Sequence, residues 1–133
     1  MKVLGLDGLE YEWKYYLYDK DEENASGPHL RARQLLRSIY PFSSFSEEIP
    51  LVGTFRERLI IDIYIHTQRL AVEVQGAQHY KFNSFFYKSN KDFIRAVNRD
   101  KSKIEWCKIN DIDLVQLPYN ESNEEWEKRI RTR

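Results

Sequence analysis

Asp62 and Glu73 are the residues whose types and spacing could do chemistry. They stand in RLIIDIYIHTQRLAVEVQGAQHY, residues 58–80. Leu59, Ile61, Ile63 and Ile65 alternate with Ile60, Asp62, Tyr64 and His66, and Leu70, Val72 and Val74 alternate with Ala71, Glu73 and Gln75. That period of two, rich in β-branched residues, predicts two strands. A two-residue turn at Thr67 and Gln68 sets 66 against 69, 64 against 71 and 62 against 73. Asp62 then faces Glu73 across the ladder, with Gln75 on the same side. Like charges directly opposite each other destabilise a hairpin, and a bound cation removes that cost. A carboxylate-held divalent ion can polarise a phosphoryl group, stabilise a leaving oxyanion and activate water. Mg²⁺ takes oxygen ligands, commonly one or two carboxylates completed by water and substrate phosphate. The backbone carbonyl of Val74 could add a third protein ligand.

Composition narrows the setting. The 133 residues are 41% hydrophobic and 14% aromatic, which fits one globular domain. No apolar run approaches the roughly 20 residues of a membrane span. The charged N-terminus does not read as a secretory signal, and the single Cys107 cannot form an internal disulfide; both point to a reducing cytosol. Lys+Arg and Asp+Glu number 21 each, against a nonspecific nucleic-acid coat protein. Basic residues nevertheless cluster: Arg31, Arg33 and Arg37; Arg56 and Arg58; Arg95, Arg99, Lys101 and Lys103; Lys128 to Arg133. Any one such cluster can be a solvated face.

Stepping outward, residues 1–18 read as a β-hairpin turning at Asp7-Gly8 in a type I′ turn, with the Tyr-rich WKYYLY serving packing. Residues 19–27, DKDEENASG, read as a linker. A helix is expected over 28–39 on the apolar spacing of Leu30, Leu35, Leu36 and Ile39, then a strand from Phe45 to Leu51, then the hairpin. A second helix, Lys91 to Asn110, places Phe93, Ala96, Val97, Ile104 and Cys107 on one stripe, with Asp100 among them. A carboxylate on the core-facing side of a helix is costly unless paired, hydrogen-bonded or metal-bound. DIDLVQL reads as a buried strand. A capping box, Ser122 to Glu125, opens a last helix that turns Trp126 and Ile130 inward. The expected fold is a single α/β domain with a core over 28–119, a mixed sheet flanked by helices, and a C-terminal helix over 120–133.

At these residues the chain resembles the PD-(D/E)XK nuclease superfamily, whose motif places an acid on one strand and (D/E)-X-K on the next in an α-β-β-β-α-β, restriction-endonuclease-like core. Ile61-Asp62 looks like the first half and Glu73-Val74-Gln75 the second. LAVEVQGAQHY, with its E-x-x-G-x-x-H pattern, and Asp100 in RDKSKIEWCKINDIDLVQLPY are similar to the branch containing very-short-patch repair endonucleases and small phage and bacterial nucleases. The resemblance covers roughly 28–119. It implies an Mg²⁺-dependent DNA endonuclease, with Mn²⁺ able to substitute, acting in the cytoplasm of a bacterial or phage-infected cell. It implies Asp62 and Glu73 as metal ligands and His79 as a proton-transfer group or phosphate contact. Gln75 stands where the pattern has Lys and cannot be a charged electrophile or a base; its expected part is to position water or phosphate. Relatives often carry an acid on the first helix, where this chain has His29. Small nucleases of this kind often dimerise to cut both strands, so a homodimer is an expectation.

The remaining roles follow from the same reading. Asp100, with Lys101 beside it, is expected to support the ligands from behind. Arg31, Arg33, Arg37, Arg95, Arg99 and Lys103 are expected to hold the nucleic-acid backbone. His66 reads as exposed, and Cys107 as core rather than nucleophile. The alternative is a nuclease-like module without catalysis that binds nucleic acid or serves in assembly, motivated by Gln75 and the missing helix acid. A protein-interaction domain is a third reading, from the aromatic stretch Tyr80 to Tyr87 and zero net charge.

Overall fold

The computed structural model describes residues 1–17, 27–55, 57–76 and 90–133. The predicted linker falls almost wholly outside these residues, as do Arg56, His79 and the aromatic stretch Tyr80 to Tyr87. Two short strands, β1 (Lys2–Leu4) and β2 (Glu10–Glu12), pair antiparallel. Then come α1 (Gly27–Ile39), β3 (Phe45–Pro50), β4 (Ile60–Ile65), β5 (Leu70–Gln75), α2 (Asn90–Ile109), β6 (Asp113–Pro118) and α3 (Asn123–Arg131). The larger sheet has the order β3-β4-β5-β6. Its first two junctions are antiparallel and β5 runs parallel to β6, so α2 is the crossover that a parallel pair requires. The fold is mixed α/β: a mixed sheet flanked by helices, with an N-terminal β-hairpin.

Two apolar layers sandwich this sheet. Ile63, Ile65, Leu70, Val72 and Leu117 pack with Ala32 and Leu36 of α1 and Trp126 and Ile130 of α3. On the other side Ile49, Ile61, Tyr64 and Ala71 pack with Trp106 and Cys107 of α2 and with Trp13 beyond the hairpin. The three buried tryptophans satisfy their indole N–H groups on backbone carbonyls: Trp13 on Pro50 (3.0 Å), Trp106 on Val52 (2.8 Å) and Trp126 on Pro118 (2.7 Å). Each donor is thereby spared the cost of burial without a partner. The Tyr-rich segment after Trp13 forms a 3₁₀ turn at Tyr15–Leu17 rather than extending a strand, and its role is packing: Tyr15 stacks on His66 and its hydroxyl lies 2.7 Å from His66 Nδ1.

Local signals explain most boundaries. Ser122 Oγ accepts the Glu125 N–H (3.2 Å), capping α3 as the Ser-x-x-Glu spacing predicts. At the end of α2, Arg69 reaches across to donate to the carbonyls of Asn110 (2.5 Å) and Asp111 (3.0 Å), placing a cation where the helix leaves carbonyls unsatisfied. The turn at Asp7-Gly8 differs from the expected type I′, which requires positive φ at both central residues. Only Gly8 has it (φ 82°). The loop closes through the backbone, the Gly8 N–H donating to the Gly5 carbonyl (3.0 Å) and the Gly5 N–H to the Leu9 carbonyl (2.9 Å), while the Asp7 side chain accepts the Leu9 N–H.

Candidate active site

The hairpin formed by β4 and β5 has the register read from the sequence. Tyr64 pairs with Ala71 and Ile63 with Val72, and the Arg69 N–H donates to the His66 carbonyl (3.1 Å) across the turn. The backbone ladder stops at the Ile63–Val72 pair. One residue further, Asp62 Oδ2 accepts the Val74 N–H at 2.8 Å, so a side chain takes the place of a ladder carbonyl. The pleat changes here as well. Strict alternation would put Ile61, Ile63 and Ile65 on one face, yet Ile61 packs on the α2 side and Ile63 and Ile65 on the opposite side. On β3, Glu48 adopts φ 50° between the Glu47–Ile63 and Ile49–Ile61 pairs. This local break turns Asp62 toward β5 and the neighbouring Glu73.

Glu73 is 8% exposed. Burial first, then the charge of Asp62, push its carboxyl well above the usual carboxylate range, while Lys103 opposes them. Glu73 Oε1 lies 3.1 Å from Lys103 Nζ, an ion-pair distance, but that buried oxygen accepts no hydrogen bond of good geometry among the described residues. Two adjacent carboxylates, one of them buried and faced by Lys103, are a donor set that fits a hard divalent cation. No group of three or more His, Cys, Asp or Glu side chains suited to a metal occurs among the described residues. A pair of carboxylates completed by a backbone carbonyl, water and phosphate is the composition Mg²⁺ commonly takes, and Val74 carries the nearest such carbonyl in sequence.

Lys103 is the residue whose place changes most. Read from the sequence, it belonged to a backbone-binding surface; in the structure its side chain is 16% exposed and engaged with Glu73. The stripe of α2 that faces the sheet passes through Lys103, Trp106, Cys107 and Asn110, while Ile104, expected inside, is 45% exposed. One residue is about 100° of helix rotation, so this small change in phase exchanges an isoleucine for a lysine at the carboxylates. Asp100 is half-buried one turn before Lys103, and Lys101 points to solvent. Gln75, at the end of β5, is partly exposed. The Cys107 thiol is pushed up to about 12, by burial first and by the Glu73 charge second, so it stays protonated and unreactive at neutral pH.

The basic residues separate into two groups. Arg31 donates to the Asn123 side chain and the Glu121 carbonyl, and its guanidinium lies 3.6 Å from the Trp126 ring centroid. It fastens α1 to α3. Arg33 is 2% exposed, with Nε donating to Glu47 Oε1 (2.9 Å), which His29 Nε2 also meets at 2.7 Å. A buried arginine of this kind cannot reach a phosphate backbone, so Arg33 leaves the expected contact set. His29, in the first turn of α1, is buried in this cluster. Arg129, Arg131 and Arg133 pair with Glu121, Glu127 and Asp113. Arg37, Arg95 and Arg99 are exposed. Open grooves of about 410 and 440 Å³ flank β6 and share Ile104 and Leu114; neither includes Asp62 or Glu73.

Comparison with known proteins gives viral relatives. The chain is 41% identical over 61 residues to uncharacterized protein 307L of Invertebrate iridescent virus 6, 46% of this chain and 31% of that protein. It is 36% identical over 70 residues to uncharacterized protein 033L of Invertebrate iridescent virus 3, covering 53% and 34%. It is 36% identical over 62 residues to uncharacterized protein 094L of Frog virus 3, covering 46% and 40%. The matched segments thus span between 31% and 40% of the relatives' own lengths. No family model matches the chain, and no solved structure matches it.

Proposed function

We propose that this chain is a divalent-metal-dependent DNA endonuclease domain. The observation that carries the proposal is the side-by-side placement of Asp62 and Glu73 where the ladder between β4 and β5 ends. The α-β-β-β-α-β order from α1 to β6 supports a restriction-endonuclease-like core, the arrangement that places such a pair in that superfamily. Asp62 and Glu73 would hold Mg²⁺ or Mn²⁺, with the Val74 carbonyl as third protein ligand. When bound, the ion supplies a Lewis acid for the phosphoryl oxygen and an acidified water.

The chain's own residues do the rest. Lys103 brings a cation to the carboxylates from α2, where Gln75 on β5 has none to offer. It offsets part of the carboxylates' negative charge when no metal is present. With a substrate phosphate in place, its ammonium can turn to a phosphoryl oxygen as a point charge. Gln75, at the end of β5, can hydrogen-bond a water or a phosphate oxygen but cannot take up a proton. The resemblance implies His79, outside the described residues, as a proton-transfer group or phosphate contact, and Asp100 stands as a support one turn behind Lys103. The iridovirus relatives move the expected setting from a phage-infected bacterium to a virus-infected animal cell. Homodimerisation remains part of the proposal, for cutting both strands.

A second reading is favoured by one specific observation: Lys103 meets Glu73 at 3.1 Å and so offsets part of the pair's negative charge without any metal. In that case the domain binds nucleic acid without cutting it. Cleavage of duplex, branched and single-stranded DNA in Mg²⁺, Mn²⁺ or EDTA separates the two, read beside metal titration of the wild type and Asp62→Ala. The nuclease reading expects metal-dependent cutting that Asp62→Ala abolishes while circular dichroism is unchanged. Undiminished cutting by that variant, or wild-type DNA binding with no cutting in either metal, overturns it.

A further inference from the structure

Three exposed basic side chains on α2 form a row that leads to a fourth, already paired. Lys91, Arg95, Arg99 and Lys103 follow one another at four-residue intervals along α2. The first three are exposed, and none of their side chains has an ion pair or hydrogen bond among the described residues. The fourth ends at Glu73 Oε1, 3.1 Å away. This contrasts with the C-terminal cluster, where Arg129, Arg131 and Arg133 are each held by an acid, and with Arg31 and Arg33, which are bound into the α1 interfaces. At 1.5 Å rise per residue the row is about 18 Å long, and each step of four residues advances about 40° around the axis. The row therefore winds from the outer face of α2 at Lys91 to the sheet-facing side at Lys103. Asp92 and Asp100, half-buried and each with interactions of its own, stand three residues before Arg95 and Lys103.

We propose that this row is a phosphate track: one nucleic-acid strand lies along Lys91, Arg95 and Arg99 and is led by them to Lys103 and the carboxylate pair. Cations without partners keep their full charge for a polyanion, whereas a paired arginine must first give up its acid. The length of the row matches about five phosphates at the 3.4 Å axial spacing of one strand. Recognition is then of the backbone and independent of base sequence. That the track ends at a cutting centre rests on the nuclease reading; that it binds phosphates does not.

The test is fluorescence anisotropy in EDTA with a labelled duplex and its separate strand, titrated with NaCl. The variants are Lys91→Gln, Arg95→Gln, Arg99→Gln and the triple substitution. Glutamine suits exposed helix positions, and thermal melts confirm folding. Lys128→Gln on α3 is the control. Each substitution is expected to reduce the slope of log K against log[salt] by about 0.9 on duplex or about 0.7 on single strands, so the two slopes also tell which form the track holds. A slope of 0.9 corresponds to about eightfold in affinity per contact between 1 M and 0.1 M salt. Unchanged slopes in the triple variant, an equal fall in Lys128→Gln, or no wild-type binding at low salt overturns the track. Track-dependent binding without cleavage in Mg²⁺ or Mn²⁺ removes only the nuclease reading; cleavage with an unchanged triple variant removes only the track.

Discussion

Glu73→Gln is expected to stabilise the metal-free protein and to abolish the stabilisation by metal, a reversal of sign that few structural residues would produce. The carboxyl of Glu73 is buried beside Asp62 and held well above its ordinary value of 4.5. The native state thus binds this proton more tightly than the unfolded chain. Stability then falls as pH rises from the ordinary value to the native one, by up to about 1.4 kcal/mol per pH unit. Two unit charges at about 4 Å and an effective dielectric near 20 repel by about 4 kcal/mol, and Lys103 at 3.1 Å cancels part of that. A net penalty of about 1–2 kcal/mol at neutral pH is the expected remainder. Glutamine keeps an oxygen for Lys103 and offers an N–H to Asp62. Urea unfolding in EDTA between pH 4.5 and 8.5 should show the variant gaining on the wild type as pH rises and matching it at the acid end. Adding Mg²⁺ or Mn²⁺ at ten times the dissociation constant should stabilise the wild type by about 1.4 kcal/mol, or about 3–6 °C in Tm for a chain of this size, and leave Glu73→Gln unmoved. If the variant is less stable than the wild type at every pH without metal, the Lys103–Glu73 pair is a net stabiliser and the reasoning fails.

Three further substitutions probe other parts of the structure. Lys103→Met removes the cation from the carboxylates: metal-free stability should fall by about 2–3 kcal/mol at pH 8 and less at pH 5. Cleavage should drop about 10²-fold or more while metal binding persists; full activity in the variant removes Lys103 from the site. Glu47→Gln leaves Arg33 charged in the core and should cost about 3–5 kcal/mol in urea unfolding, and a loss below 1 kcal/mol would show that the His29–Glu47–Arg33 cluster carries no ion pair. Arg31→Ala should destabilise by about 1–2 kcal/mol through its lost hydrogen bonds and ring contact with DNA affinity unchanged, and a clear loss of affinity would return Arg31 to the binding surface.

What the sequence by itself determined was local. The period of two across residues 59–75, the turn at Thr67 and Gln68, and the capping Ser122 each act over a few residues, and the structure follows them. From strand period and turn alone, Asp62 and Glu73 could be set next to each other, because pairing register is arithmetic once a turn is placed. The type I′ expectation at Asp7-Gly8 failed because the turn sits one residue earlier, closed by the Gly8 N–H on the Gly5 carbonyl, so that only Gly8 takes positive φ. The even alternation through Ile61 and Ile63 failed at Asp62, because a side chain replaced a ladder carbonyl there.

What only the tertiary structure decided was the rotation of α2 and the pairing of charges. Spacing alone puts Ile104 on the inner stripe, yet in the structure Trp106 donates to the Val52 carbonyl, Lys103 meets Glu73 and Ile104 is exposed. Nothing within α2 records where Val52 will be. Likewise Arg31, Arg33, Arg95 and Arg99 look alike in the chain, since a charge is local but its partner is not. Folding sets the first two against Glu121, Glu47 and Trp126 and leaves the last two in solvent. The carboxylate pair was therefore legible from strand period and turn, whereas the lysine that completes it depended on how a helix beyond β5 packs across the sheet.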